Sequence, residues 1–345
     1  MSEKENLCGV GIDVSKAKLD IACLYRASAT HFQVKNTASG IKELISRLDK
    51  LQGTHEQVQI IMESTGRYHS LAALMLSEAG FDVRVINPLL ARKHLQSNIR
   101  KIKTDKADAL VLARMAVTEV NLPKRFTKTR QAIYLRQLQG WIANLEGQRQ
   151  ALTASAKSFQ EARETLGIHA SEVETALLDS LKLLDKRILG LQDYLEQASI
   201  QEPLDVKQHA QLTSIPGISS YLAALLLQQL DTSCGHPKQW IAYLGLDVSV
   251  HQSGTWRGRG RLSKRGNPYL RKRFFGAAWG ATMHYPDVKA YYQHLKANGR
   301  KHKEALMIIA RKQLTIAFTV LKNNTTYDPQ KAIFKHYLPK TTLSP

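Results

Sequence analysis

Four carboxylates in the first third of the chain stand where acids can gather around a metal ion. Asp13 closes an apolar run in Gly11-Ile12-Asp13-Val14-Ser15-Lys16, and Glu63 closes another in Ile60-Ile61-Met62-Glu63-Ser64-Thr65-Gly66. Asp105 and Asp108 stand three residues apart in Lys103-Thr104-Asp105-Lys106-Ala107-Asp108-Ala109. If that segment is helical they share a face, with Thr104 as its cap. Strand-end acids and a helical pair meeting at one sheet edge suit Mg2+, which takes a few carboxylates together with water and phosphate oxygens. Two such ions about 3.5–4 Å apart would clamp the attacking and leaving oxygens of a phosphodiester. Without a cation the same acids would repel and raise each other's pKa values. A lone acid at a strand end is more often a turn or cap residue, and Asp20, Asp49 and Asp82 read as ordinary surface acids. The signal lies in the order acid, acid, paired acids.

A second set of residues, in the last third, suits phosphate binding. Leu212-Thr213-Ser214-Ile215-Pro216-Gly217-Ile218, followed by the apolar helix Tyr221 to Leu230, resembles a helix-hairpin-helix. The Pro216-Gly217 turn could offer backbone N–H groups to a phosphate, although a tight turn between core helices reads the same way. The stretch His251 to Phe275 carries Arg257, Arg259, Arg261, Lys264, Arg265, Arg271, Lys272 and Arg273 and no acid. Gly254, Gly258, Gly260 and Gly266 interleave with these charges, and Trp256, Tyr269 and Phe274 read as stacking surfaces. Arg92, Lys93, Arg100, Lys101, Lys103 and Lys106 add positive charge beside the acidic pair. Ser253 and Ser263 lie within the basic stretch. A serine in such a loop can attack a phosphodiester and keep the DNA end covalently, while most loop serines do nothing of the kind.

The acids need a sheet on which to meet, and the first hundred residues carry the pattern of one. Leu7 to Asp13 and Lys18 to Tyr25 read as strands, with His31 to Lys35 as a third. Ile41, Leu44, Ile45, Leu48 and Leu51 recur at helical spacing. Val58 to Met62 and Val83 to Ile86 read as further strands around a helix from Leu71 to Ala79, and Pro88 opens another helix. These elements predict a mixed sheet flanked by helices, its first three strands an antiparallel meander. From Arg130 to about Arg163 there is no proline, and Leu135, Leu138, Ile142, Leu145 and Leu152 keep helical seam spacing. Leu177, Leu181, Leu184, Ile188, Leu191 and Leu195 then repeat at coiled-coil steps, as an intramolecular hairpin or an oligomerisation arm would. Pro203 reads as a linker into a helical third region reaching about Leu321, and Asn323 to Pro345 reads as a peripheral tail.

Composition agrees with a polyanionic partner. Lys and Arg total 49 against 29 Asp and Glu, a formal charge of +20. Hydrophobic residues form 43% of the chain, enough for packed cores. No apolar run approaches the ~18 residues a membrane span needs, and Met1 to Leu7 is too polar for a signal peptide. Cys8, Cys23 and Cys234 form no C-x-x-C pair, which fits a reducing compartment: cytoplasm, or the nucleoid.

The residues also match a family. G-I-D-V-S-K at Gly11 to Lys16, E-S-T-G at Glu63 to Gly66 and T-D-K-A-D-A at Thr104 to Ala109 resemble the DEDD-type insertion-sequence transposases. I-P-G-I at Ile215 to Ile218, Ser253-Gly254 and S-K-R-G-N-P-Y-L-R at Ser263 to Arg271 fit the same group, which is related to the Piv invertase and described as bridge-RNA-guided recombinases. The motifs run in order through nearly the whole chain. The resemblance implies an α/β RNase H-like (RuvC-like) catalytic domain over residues 1–128 and a coiled-coil helical arm over 129–202. A mainly α transposase domain with helix-hairpin-helix and serine loop over 203–325, and a tail over 326–345, complete the implied plan. It further implies that Asp13, Glu63, Asp105 and Asp108 bind one or two Mg2+ ions, and that Ser253 forms a covalent phosphoserine link to DNA. Members assemble as tetramers, a dimer of dimers in which one subunit's serine completes another's acidic site. A structured noncoding bridge RNA pairs with donor and target DNA. One departure stands out: the family often has a proline between Gly245-Leu246 and Ser253, where this chain reads Asp247-Val248-Ser249. That leaves Ser263 and Ser249 as other candidates for the nucleophile.

The expectation is thus an RNA-guided transposase using metal-assisted phosphoryl transfer, with no membrane partner. Two rivals are a RuvC-like junction resolvase, in which water attacks, and a catalytically silent nucleic-acid clamp.

Overall fold

The computed structural model describes residues 8–25, 28–50, 58–88, 105–119, 122–168, 171–230, 233–249, 252–253, 256–257, 260–331 and 334. The chain folds as two compact units, residues 1–137 and 138–345.

The first unit is built on a five-stranded sheet in the order β3-β2-β1-β4-β5. Its strands are β1 (Cys8–Val14), β2 (Lys18–Tyr25), β3 (Ser28–Lys35), β4 (Val58–Glu63) and β5 (Asp82–Ile86). β1, β2 and β3 form the expected antiparallel meander, while β4 pairs parallel to β1 and β5 parallel to β4. The third strand starts earlier than its hydrophobic pattern predicts. Pairing with β2 continues to Tyr25 opposite Ser28, so backbone hydrogen bonds recruit polar residues that periodicity passes over. One face of β1 presents Val10, Ile12 and Val14 to the helices α1 (Ala38–Leu48) and α2 (His69–Glu78). Thr37 caps α1 by accepting from the Gly40 N–H, and Ile41, Leu44 and Leu48 turn inward at helical spacing. The other face carries α3 (Asp105–Thr118), which lies on β1 and β2 and reaches β4. This mixed α/β arrangement is consistent with an RNase H-like domain. The helix expected to open at Pro88, the basic residues from Arg92 to Lys103 and the Thr104 cap fall outside the described residues.

The rest of the described chain is mostly helical. α4 (Arg130–Leu166) and α5 (Ser171–Ser199) run antiparallel, joined by Glu146–Gln192, Arg149–Asp185 and Arg163–Glu174 contacts. Within this one chain they make a helical hairpin. The repeating Leu177, Leu181, Leu184 and Leu191 are half-buried and Ile188 and Leu195 buried, whereas Leu178, Leu183 and Leu189 point outward. The helices α6 (Pro203–Thr213), α7 (Ser220–Gln229), α8 (Pro237–Tyr243), α9 (Pro268–His284), α10 (Pro286–Ala297) and α11 (His302–Lys322) share one apolar core with the inner ends of that hairpin. Pro203 is the first helical residue of α6, held by a reciprocal capping box between Glu202 and Asp205, so the link from α5 is very short. The tail is not peripheral throughout. Phe334 is fully buried against Tyr291, and the Tyr327 N–H donates to Ser214 Oγ at 2.9 Å, so the core extends past α11.

Candidate active site

Glycines on β1 bring the acids together. Gly9 and Gly11 lie under α3, and a Cβ built on Gly11 would stand 2.0 Å from the Ala109 carbonyl oxygen and 2.3 Å from the Ala113 amide. Only a residue without a side chain lets the helix backbone come so close. Because strand side chains alternate, Asp13 shares that face with Gly9 and Gly11. The register extends the face sideways. Asp13 pairs with Asp20 across the β1–β2 ladder, and Ile12 pairs with Met62, so Glu63 ends β4 beside Asp13. α3 begins over this edge and places Asp105 and Asp108 in its first turn, where a helix favours negative charge.

Carboxylate oxygens of Asp13, Asp20 and Asp105 lie within 4.8 Å of one another. The Lys18 ammonium bridges two of them, 3.0 Å from Asp105 and 3.1 Å from Asp20. Asp20 is only 2% exposed and also accepts from the Gln33 amide, with His31 Nε2 3.7 Å away. Burial pushes the Asp13 carboxyl up to about 6, and the neighbouring charges of Asp105, Asp108, Asp20 and Glu63 push in the same direction. Crowded carboxylates of this kind fit a hard divalent cation: the donors are all oxygen, and a cation would relieve the repulsion that raises Asp13.

Asp20 corrects the sequence reading, which set it among surface acids. Of the other two, Asp49 is exposed, and Asp82 is half-buried and ion-paired with Arg84 at 2.9 Å. The signal for Asp20 was the short turn after Asp13. Ser15 to Lys18 closes a hairpin whose register sets Val14 against Leu19 and hence Asp13 against Asp20.

In the second unit, after β6 (Val248–Ser249), Ser253 ends the two-residue strand β7 (Gln252–Ser253). It pairs with Trp256 of β8 (Trp256–Arg257), so its backbone stands at the tip of a tight hairpin. The side chains of Ser253 and Trp256 lie outside the described residues, and the other candidate serines are engaged. Ser263 Oγ donates to Asp247 Oδ1 at 2.5 Å, and Ser249 Oγ donates to the Arg261 carbonyl at 3.0 Å. Asp247, which stands in the stretch where the family often has a proline, thus holds the loop through Ser263. Asn267 caps α9 by accepting from the Tyr269 and Leu270 amides, and Gly266 lies so close to the turn after α8 that a Cβ would stand 2.0 Å from the Tyr243 carbonyl. Much of the S-K-R-G-N-P-Y-L-R motif therefore knits α8 to α9.

The basic residues divide. Arg261, Lys264, Arg265 and Lys272 are exposed. Arg271 donates to the Leu244 carbonyl at 2.8 Å. Arg273 is taken up by Glu146 of α4 and stacks over Tyr221 and Tyr269. Arg259 and the side chain of Arg257 lie outside the described residues. Tyr269 and Phe274, read as stacking surfaces, are buried, because α9 turns that face into the core. Pro216 is buried too. Gly217, at φ +82°, sits where a Cβ would stand 2.2 Å from the Ala277 carbonyl, so close packing on α9 accounts for that glycine.

Two family models match this chain, together covering more than half of it. A DEDD transposase model of the IS110 group spans residues 10–159, and the transposase model of the IS116/IS110/IS902 family spans residues 209–293. The chain belongs to the IS110 group of DEDD transposases. Asp13, Glu63, Asp105 and Asp108 lie in the first match, and Pro216, Gly217, Ser253 and the basic stretch in the second. A pilin gene-inverting protein of Moraxella bovis is 25% identical over 329 residues, covering 92% of this chain and 97% of that protein. A 43.6 kDa protein of insertion element IS110 from Streptomyces coelicolor is 29% identical over 119 residues, 34% of this chain and 29% of that one. The transposase is thus a DNA-cleaving and recombining enzyme related to Piv. No helix among its described residues is long and apolar enough to cross a membrane.

Proposed function

We propose that this transposase cleaves and rejoins donor and target DNA of an insertion sequence under the guidance of a noncoding bridge RNA, with Ser253 as nucleophile. The observation that carries the metal part of this reading is the gathering of Asp13, Asp20 and Asp105 oxygens within 4.8 Å at a sheet edge covered by the α3 N-terminus. Asp13, Glu63, Asp105 and Asp108 hold one or two Mg2+ ions; bound there, the ion supplies Lewis-acid stabilisation of charge on the scissile phosphate. Lys18 keeps Asp105 and Asp20 oriented between turnovers. The serine hydroxyl gives up its proton as its oxygen bonds to phosphorus, one bridging P–O bond breaks, and the departing DNA oxygen takes up a proton in its place. Attack of another strand's hydroxyl on the phosphoserine reverses the step and rejoins DNA without loss of phosphodiester energy. Ser253 is favoured over Ser263 and Ser249 because those two hydroxyls already serve Asp247 and Arg261. Exposed Lys264, Arg265 and Lys272 position the strand by its phosphates.

The domain limits that accompany this reading are 1–128, 129–202, 203–325 and 326–345, and the assembly is a dimer of dimers in the bacterial cytoplasm or on the nucleoid. A denaturing gel for a protein–DNA adduct tests it, using purified protein, Mg2+, RNA from the flanks of the gene and matching DNA. An adduct that needs RNA and is lost in both Ser253→Ala and Asp105→Ala is expected. Cleavage that survives Ser253→Ala without any adduct would make water the nucleophile and put the resolvase reading in its place.

A further inference from the structure

A groove of about 1000 Å³ in the second unit gathers cations of the basic stretch together with cations that no motif marks. One wall is β9 (Arg261–Leu262) with Lys264 and the outer side of α9, including Lys272. The opposite wall comes from the α10–α11 turn and from α11, which contribute Arg300, Lys301, Lys303 and Arg311. A single acid, Glu304, reaches the groove, and it is paired with Arg300 at 2.6 Å. Among the described residues, Arg261, Lys264, Lys301, Lys303 and Arg311 have no ion-pair partner. So many like charges around one depression repel one another unless an anion lies among them. Arg271, held by the Leu244 carbonyl, and Asn298 also line it, and apolar surface comes from Phe275, Met307 and Ile308, partly buried against the core, with Val248 43% exposed.

Charge on two walls and apolar surface between them match a polynucleotide with its bases unpaired. Phosphates reach the cations, and unstacked bases find hydrophobic surface that a duplex would not present to them. We propose that this groove binds a single-stranded polynucleotide segment, RNA or displaced DNA, with Lys301, Lys303 and Arg311 holding phosphates opposite Arg261 and Lys264. The inference rests on the reading of this chain as a nucleic-acid enzyme, and on neither its serine nor its RNA guide.

The test is fluorescence anisotropy of the full-length protein in EDTA, with labelled single-stranded DNA, RNA of the same sequence and the DNA duplex. Lys301→Glu/Lys303→Glu changes two exposed side chains. Lys186→Glu/Lys289→Glu makes the same change in net charge on α5 and α10, outside the groove, and thermal unfolding checks that both variants fold. The groove variant should bind single strands at least tenfold more weakly than the control variant, with a salt slope shallower by about 1.4, the value for two lost single-strand phosphate contacts. Weaker binding of RNA alone, of DNA alone or of both identifies which strand the groove holds, and each upholds it. Binding equal to the control's overturns the proposal, and so does a loss on duplex as large as that on single strands. Because no metal or guide is present, either result leaves the adduct assay for Ser253 standing on its own.

Discussion

Asp20 lies directly opposite Asp13 across the antiparallel β1–β2 ladder, 2% exposed and hydrogen-bonded to Gln33 and Lys18. Cross-strand partners share a sheet face, so this buried carboxylate adds its charge to the acids gathered under α3. Asp20→Asn keeps the shape and removes the charge. Divalent-metal affinity should fall about tenfold, as when a supporting partner of a metal ligand is lost. Calorimetric titration with Mn2+ reads it; unchanged affinity would place Asp20 outside the site.

Acidification should empty the site. Asp13 titrates at about 6, above the ordinary 3.8, because of burial and then of Asp105, Asp108, Asp20 and Glu63. A raised carboxyl pKa means that the folded metal-free chain holds its proton longer than the unfolded one. This group's contribution to stability is therefore greatest below pH 4 and declines as pH rises toward 6. Metal needs the ionised form, so Mn2+ affinity should drop as pH falls through 6, with proton release on binding. Titrations from pH 5 to 7.5 in buffers of different ionisation enthalpy check both signs, and pH-independent affinity would contradict them.

Gly11→Ala should damage fold and site together. Its Cβ would meet the Ala109 carbonyl at 2.0 Å, and neither backbone has room to give. We expect a loss of about 3 kcal/mol in unfolding free energy, with weaker metal binding because Asp105 and Asp108 ride on the displaced helix. Denaturant unfolding beside metal titration would reveal a wild-type-like variant, and with it a misplaced α3.

Two neighbouring cations in the basic stretch should part company. Arg273 is joined to Glu146, whose side chain is 13% exposed, and Glu146 also accepts from Tyr269 at 3.0 Å. Arg273→Ala leaves that acid only the exposed Lys272 ammonium, at 3.5 Å, as its cation and should cost about 2 kcal/mol of stability. Lys264→Ala touches an exposed residue and should leave stability within about 0.5 kcal/mol, while reducing the salt slope of nucleic-acid binding by about 1. Equal behaviour of the two variants in both assays would refute this division.

Local patterns already declared several parts of this molecule. Alternation and apolar runs marked the five strands, helical spacing marked α1 and the two long helices, and the motif acids fell at element ends as their positions implied. Chain order alone placed Asp13 and Glu63 at strand ends and paired Asp105 with Asp108, since strand and helix periods are local properties. Asp20 escaped because its face depends on hairpin register, which the Ser15–Lys18 turn sets and a single strand cannot display.

Burial of the basic stretch depended on partners far away in sequence. Arg273 reads like Lys264 until Glu146, 127 positions earlier, is brought against it by the core beneath α4 and α9. Likewise Lys301 and Lys303 join Arg261 and Lys264 only when α11 folds back beside α9. The sequence by itself determined the strands of the five-stranded sheet, the long helices, which acids stand at their ends and an excess of positive charge suited to a polyanion. The tertiary structure decided which acids meet, which arginines stay free and where the cations form a groove, because burial and charge neighbourhood come from long-range packing that no local period encodes.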